Sequence, residues 1–136
     1  MKMEKYDSDE LIEHARQART FAQAKYSHFQ VGAALITEDG EVYTGCNIES
    51  SSYSLTMCAE RVALFKALSE GRTRFKAIAI VAKDGEYCPP CGACRQVLFD
   101  YAPNIDVILT NGKEKQTYKL KELLPHAFDD SNLGEK

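Results

Sequence analysis

The sequence predicts an α/β domain built on a mixed sheet. Three observations carry that expectation. Apolar, strand-like runs at 29–36, 75–82 and 105–110 are separated by segments of helical periodicity. Asp39-Gly40 joins the first run to a partner at 41–48 as a hairpin. The length of 136 residues suits a single domain over 1–136 and buries a core without cross-links.

Each element has its own signal. Ser8 stands as the cap of a first helix, with Glu10 in its first turn and Leu11, Ile12, Ala15, Ala18 and Ala22 as a loose apolar stripe. Residues 47–56 are polar and serine-rich and read as a loop. Residues 57–69 read as a helix with Val62, Phe65, Ala67 and Leu68 buried, and Gly71 ends it. Asp84-Gly85 turns the chain after the 75–82 strand, and Pro89-Pro90 stiffens the approach to Cys91. A helix from about 91 to 101 carries Val97, Leu98 and Tyr101. Asn111-Gly112 marks a turn after 105–110; residues 115–119 read as an edge strand, 120–124 as a short helical turn and 129–136 as a mobile tail. There is no internal repeat or low-complexity linker.

Composition narrows the partners. A formal net charge of −3 gives no basic excess, so a nucleic-acid polymer is not expected; a single nucleoside, which carries no phosphate, is compatible. The first residues, Met1 to Asp7, are too polar for a signal peptide, and no apolar run is long enough to span a membrane, so a cytoplasmic protein is expected. Five cysteines, Cys46, Cys58, Cys88, Cys91 and Cys94, are an odd set for an intrachain disulfide framework. In a reducing compartment such clusters mean metal binding or catalysis more often than disulfides.

Two blocks hold the chemistry: Cys58-Ala59-Glu60 and Pro90-Cys91-Gly92-Ala93-Cys94. They supply three thiols, one nearby carboxylate and no obvious fourth ligand. Structural zinc sites usually close with four protein ligands, whereas catalytic sites use three and keep a position for water, whose pKa the metal lowers to about 7. Cys91-x-x-Cys94 alone reads as a structural zinc knuckle; the full set favours catalysis. Three ligands of His/Cys/Cys or Cys₃ type, with a non-ligating Glu two residues after the first, form the signature of zinc deaminases. Both blocks fall at expected helix N-termini, where the partial positive charge favours thiolates. Three thiolates leave the centre negative, so Arg61, and with it Arg95, are candidates to neutralise sulfur. Glu60 is placed to take a proton from water and pass it to a ring nitrogen and then to a leaving amine. Cys46 and Cys88 read as ordinary buried or half-buried cysteines, and His14, His28 and His126 as surface or packing residues.

With these residues in view, the chain resembles a small, zinc-dependent cytidine deaminase of the homotetrameric, three-cysteine type. The resemblance runs from about Leu11 to Leu133. It rests on Tyr26-Ser27-His28-Phe29-Gln30-Val31-Gly32-Ala33-Ala34-Leu35, Gly45-Cys46-Asn47-Ile48-Glu49, Met57-Cys58-Ala59-Glu60-Arg61, Pro90-Cys91-Gly92-Ala93-Cys94-Arg95-Gln96-Val97 and Glu122-Leu123-Leu124-Pro125. Lys25 departs from the proline common before Tyr26-Ser27, and His28 from the usual basic residue.

The resemblance implies a three-layer α/β/α sandwich around a five-stranded mixed sheet. It implies one Zn²⁺ per subunit on Cys58, Cys91 and Cys94, and Glu60 as proton shuttle. Substrate would be bound by Phe29, stacked on the pyrimidine, by Asn47 and Glu49 at the ribose 3′-hydroxyl, and by Ala59. Tyr53 and Phe128 would reach a neighbouring subunit's site. On the residues alone, Asn47 and Glu49 read as a solvated turn and Phe29 equally well as core, although two polar residues two apart at a strand end do point to one side. The implied reaction is hydrolytic deamination of cytidine and 2′-deoxycytidine in pyrimidine salvage. The rivals are blasticidin S deamination, polymer editing, and a non-catalytic zinc-stabilised binding module.

Overall fold

The structure is a computed structural model and describes residues 6–133. Among these, five strands form one sheet in the order β2-β1-β3-β4-β5: β1 (Gly32–Thr37), β2 (Val42–Cys46), β3 (Phe75–Val81), β4 (Asp106–Thr110) and β5 (Lys115–Lys119). The sheet is mixed. β1 pairs antiparallel with β2 and β3, β3 runs parallel to β4, and β4 pairs antiparallel with β5. The parallel pair, β3 and β4, is joined through a helix, as a crossover requires.

Helices cover both faces. Successive side chains on a strand point to opposite faces, so Ala34, Ala77, Ala79 and Ile108 pack with Leu11, Ile12 and Ala15 of α1 (Ser8–Arg19). The alternate residues, Leu35, Ile78, Ile80, Val107 and Leu109, pack with Ala59, Ala63, Leu64 and Ala67 of α2 (Ala59–Ser69) and Leu98 of α3 (Gly92–Tyr101). The result is the expected three-layer α/β/α sandwich, with α4 (Leu120–Leu123) following β5 directly.

Several local expectations shift. The cap of α1 is Asp7 rather than Ser8: its carboxylate accepts from the amides of Asp9, at 3.0 Å, and Glu10, at 3.2 Å. Phe65, expected in the core, is 40% exposed. α2 meets the sheet instead through Ala59, Ala63, Leu64 and Ala67; only beside Gly45 of β2 do the backbones approach too closely for a side chain. The 47–56 loop is held at its ends, where Ile48 bridges both Gln23 and Met57. In the stretch read as a tail, Asp130–Leu133 form a short 3-10 turn; residues 134–136 lie outside the described residues.

The close approach of α2 has a cause in one residue. A Cβ on Gly45 would stand 2.4 Å from the Ala59 carbonyl oxygen and 2.6 Å from the Ala63 nitrogen. Both are helix backbone atoms, so nothing rotates away. Gly45→Ala is therefore expected to cost about 3 kcal/mol, the scale of core overpacking, and to weaken zinc binding by displacing the start of α2. Thermal melting and zinc titration of the variant check both effects.

Candidate active site

Cys58 is the N-cap of α2, and Cys91 is the N-cap of α3. Both have extended backbone, with φ −73° and −68°, which turns the chain sharply into each helix. The two N-termini meet: Cys58 Sγ lies 3.9 Å from Cys91 Sγ. Cys94, one turn into α3, completes a triad whose sulfurs all lie within 4.8 Å of one another. The Cys94 amide donates to Cys91 Sγ at 3.4 Å. No other His, Cys, Asp or Glu among the described residues joins the group, so Cys46 and Cys88 stand outside it.

The electrostatics suit a metal. Arg61 Nη2 donates to Cys58 Sγ at 3.4 Å. The Cys58 thiol falls to about 5, first through a hydrogen bond from Cys94 and then through Arg61. The Cys94 thiol rises correspondingly, as the donor in that pair. Arg61 Nε is buried without a hydrogen-bond partner. A buried cationic group is tolerated when negative charge faces it, and three thiolates on a metal supply that charge. Soft sulfur donors with one position left over fit zinc. Arg95 takes a different role from the one considered above. It donates to the Pro90 carbonyl at 2.7 Å and the Leu123 carbonyl at 2.8 Å, fixing the approach to Cys91 against the end of α4. Arg61→Ala is expected to keep zinc and lose about 10- to 100-fold in turnover, the scale of one charge-assisted hydrogen bond. Zinc stoichiometry and kcat measured on the same sample check it.

Glu60 is buried in the first turn of α2. Burial raises its carboxyl to about 7, and the neighbouring Cys58 adds to the rise. Cys88 lies half-buried against the core. Its thiol is pushed up to about 11, by burial first and then by Glu60 and Cys58, so it stays protonated.

The remaining candidates occupy four places. Ala59 is fully buried at the start of α2. Phe29, 41% exposed, sits in the loop before β1. Asn47 is buried beneath that loop: its Oδ1 accepts from the Val31 amide at 2.9 Å, and its Nδ2 donates to the Phe29 carbonyl at 2.8 Å. The Glu49 carboxylate accepts from the amides of Tyr26 and Ser27 at 2.9 and 3.0 Å, and from the Ser27 hydroxyl. Hydrogen bonds from Ser27 and Tyr26 hold that carboxyl below its ordinary range. Tyr53, 76% exposed on the 3-10 turn Tyr53–Leu55, faces solvent. Phe128 lines a cleft of about 820 Å³ with Gln96, Phe99, Tyr101 and Leu133, and Gln96 holds its carbonyl at 2.8 Å. Sequence reasoning gave Ser27 no role of its own; its signal was its place in the Tyr26-Ser27-His28-Phe29 run.

Comparison with known proteins agrees with this geometry. The family described as the cytidine and deoxycytidylate deaminase zinc-binding region matches residues 5–110. The chain is 50% identical over 131 residues to a cytidine deaminase of Halalkalibacterium halodurans, covering 95% of this chain and 99% of that one. It is 48% identical over 130 residues to a cytidine deaminase of Sporosarcina psychrophila, covering 94% and 96%. A crystal structure of cytidine deaminase from Burkholderia pseudomallei superposes with a TM-score of 0.87 at 47% identity, over 90% of this chain and all of that one. With the three sulfurs, the two helix N-termini and the sheet in the same frame, this chain belongs to the zinc-binding cytidine deaminase family.

Proposed function

We propose that this single-domain protein hydrolyses the exocyclic amine of cytidine and 2′-deoxycytidine, giving uridine and 2′-deoxyuridine with release of ammonia, in pyrimidine salvage. The observation that carries the reading is Glu60: a buried carboxyl, two residues from Cys58, beside a three-sulfur centre with no fourth protein ligand among the described residues. Zinc, when bound by Cys58, Cys91 and Cys94, supplies a Lewis acid that activates water for attack. Glu60 takes a proton from the attacking water and delivers it to the ring nitrogen as the new C–O bond forms. It then takes the proton of the newly added hydroxyl and gives it to the amine, so that the carbonyl forms as the C–N bond breaks and ammonia leaves. A carboxyl near neutrality is suited to both transfers. Arg61 draws charge from the Cys58 sulfur, which keeps the three-thiolate centre electrophilic. Phe29 stacks on the base, Ala59 contacts it, and Asn47 and Glu49 face the sugar.

The protein is further proposed to be a homotetramer whose sites are completed across subunits. Tyr53 and Phe128 support this, because both are exposed aromatics outside their own chain's sulfur cluster. A reducing, cytoplasmic setting fits three cysteines used as thiolates. No helix among the described residues is long and apolar enough to cross a membrane.

Purified, zinc-quantified protein supplied with cytidine is expected to release ammonia in proportion to its zinc. Release from blasticidin S but not from cytidine would instead make the antibiotic the substrate. Release from neither would leave the binding module.

A further inference from the structure

The loop that carries Phe29 has almost no packing to hold it. Tyr26, Ser27, His28, Phe29 and Gln30 are all exposed, and His28 adopts a left-handed backbone with φ +59°. That conformation is unfavourable for a side chain with a Cβ, so polar contacts must maintain it. Three groups do so. The His28 amide donates to the Ala24 carbonyl at 2.9 Å. Asn47 holds Phe29 and Val31 from below. The Ser27 hydroxyl donates to Glu49 Oε2 and accepts from the Phe29 amide at 3.0 Å. Asn47 Nδ2 reaches the same Glu49 oxygen at 3.5 Å. Ser27 and Asn47 are thus the two side chains that join the Glu49 carboxylate to the backbone of the aromatic residue, and Ser27 makes the closer contact with Glu49.

We infer that Ser27 is a positioning residue, whose bridging hydroxyl sets the Glu49 carboxylate and the Phe29 ring at a fixed mutual distance, so that sugar and base are recognised together. The inference rests on the proposed nucleoside reading, in which Glu49 faces the sugar and Phe29 the base. Ser27 touches neither metal nor reacting atoms, so its loss acts on substrate binding rather than on the proton-transfer steps.

The test uses zinc-loaded Ser27→Ala and Ser27→Thr, with cytidine as substrate and hydrogen exchange of the 25–31 peptide in the free enzyme. Ser27→Ala is expected to raise KM about tenfold, the scale of one hydrogen bond to a charged group. Its kcat, zinc content and melting temperature should stay near those of the parent, and exchange at 25–31 should speed up. Ser27→Thr keeps the hydroxyl and is expected to restore KM and exchange together. An unchanged KM in Ser27→Ala overturns the inference, as does a Ser27→Thr enzyme that behaves like Ser27→Ala. If the parent protein does not deaminate cytidine, the nucleoside reading fails on its own, and exchange then decides Ser27: unchanged protection in Ser27→Ala rejects the bridge, and lost protection retains it as the loop's anchor.

Discussion

Glu60→Gln should retain its full complement of zinc and lose about 10²- to 10⁴-fold in kcat, the range that positioned general acid–base groups contribute. Glutamine has the size and shape of the carboxyl it replaces, so the tight contact of α2 with the sheet is undisturbed, and none of the three sulfurs is touched. What disappears is the capacity to hold a proton between its removal from water and its delivery to the ring and the amine. Stability should move in the opposite direction. Glu60 is 4% exposed, and burial is the main reason its carboxyl is raised to about 7; a neutral amide relieves the cost of keeping a charge there. The variant is therefore expected to melt at the same temperature as the parent or higher. Zinc analysis, kcat by ammonia release and a thermal melt on one preparation make the comparison. A variant keeping more than about a tenth of parental kcat would place proton transfer on another group.

How much of this was visible in the sequence depends on how local each determinant is. The two cysteine blocks and their helix N-termini were legible because Cys58 and Cys91 cap the helices that follow them in the chain. Strand β5 was legible as an edge because Lys115–Lys119 is polar and lies between a turn and a short helix. Phe65 was misplaced for a reason the sequence does show in hindsight. With Gly45 admitting the helix backbone, Ala59, Ala63, Leu64 and Ala67 became the buried face, and Phe65, next to Leu64, was turned outside. The choice of Ser8 over Asp7 failed at the level of one residue, where both types are good caps. The polar clamp on the Phe29 loop was not legible at all. Its bonds join Asn47 to Val31 and Glu49 to Tyr26 across the fold, and no periodicity marks such pairings. Arg95 illustrates the same limit. Its position beside Cys94 pointed to sulfur, while its guanidinium reaches carbonyls at Pro90 and Leu123.

Removing the metal should abolish turnover yet leave the sheet folded. The triad draws the N-termini of α2 and α3 together, with sulfurs as close as 3.9 Å, but the hydrophobic core does not depend on it. Leu35, Ile78, Ile80, Val107 and Leu109 are buried between the layers in a cluster that includes none of the three triad cysteines. This differs from a zinc finger, which is unfolded without its ion because it has no such core. A ligand present at about a thousand times its dissociation constant stabilises the native state by about 4 kcal/mol. For a domain of this size that corresponds to roughly 10–20 °C in Tm. Dialysis against a strong chelator is therefore expected to lower Tm by that order, to reduce activity below about 1%, and to leave the far-ultraviolet circular dichroism at 25 °C essentially unchanged. Restoring one equivalent of Zn²⁺ should recover activity and Tm together. Cys94→Ser should mimic the chelated protein without full recovery, because its sulfur is the buried member of the triad and an alcohol is a poor substitute for a thiolate on zinc. A chelated protein that loses its secondary structure would make the ion a folding nucleus. One that keeps its activity would remove the metal from the reaction, and only the combination of a folded sheet with an inactive site fits a centre placed on an independently stable α/β/α frame.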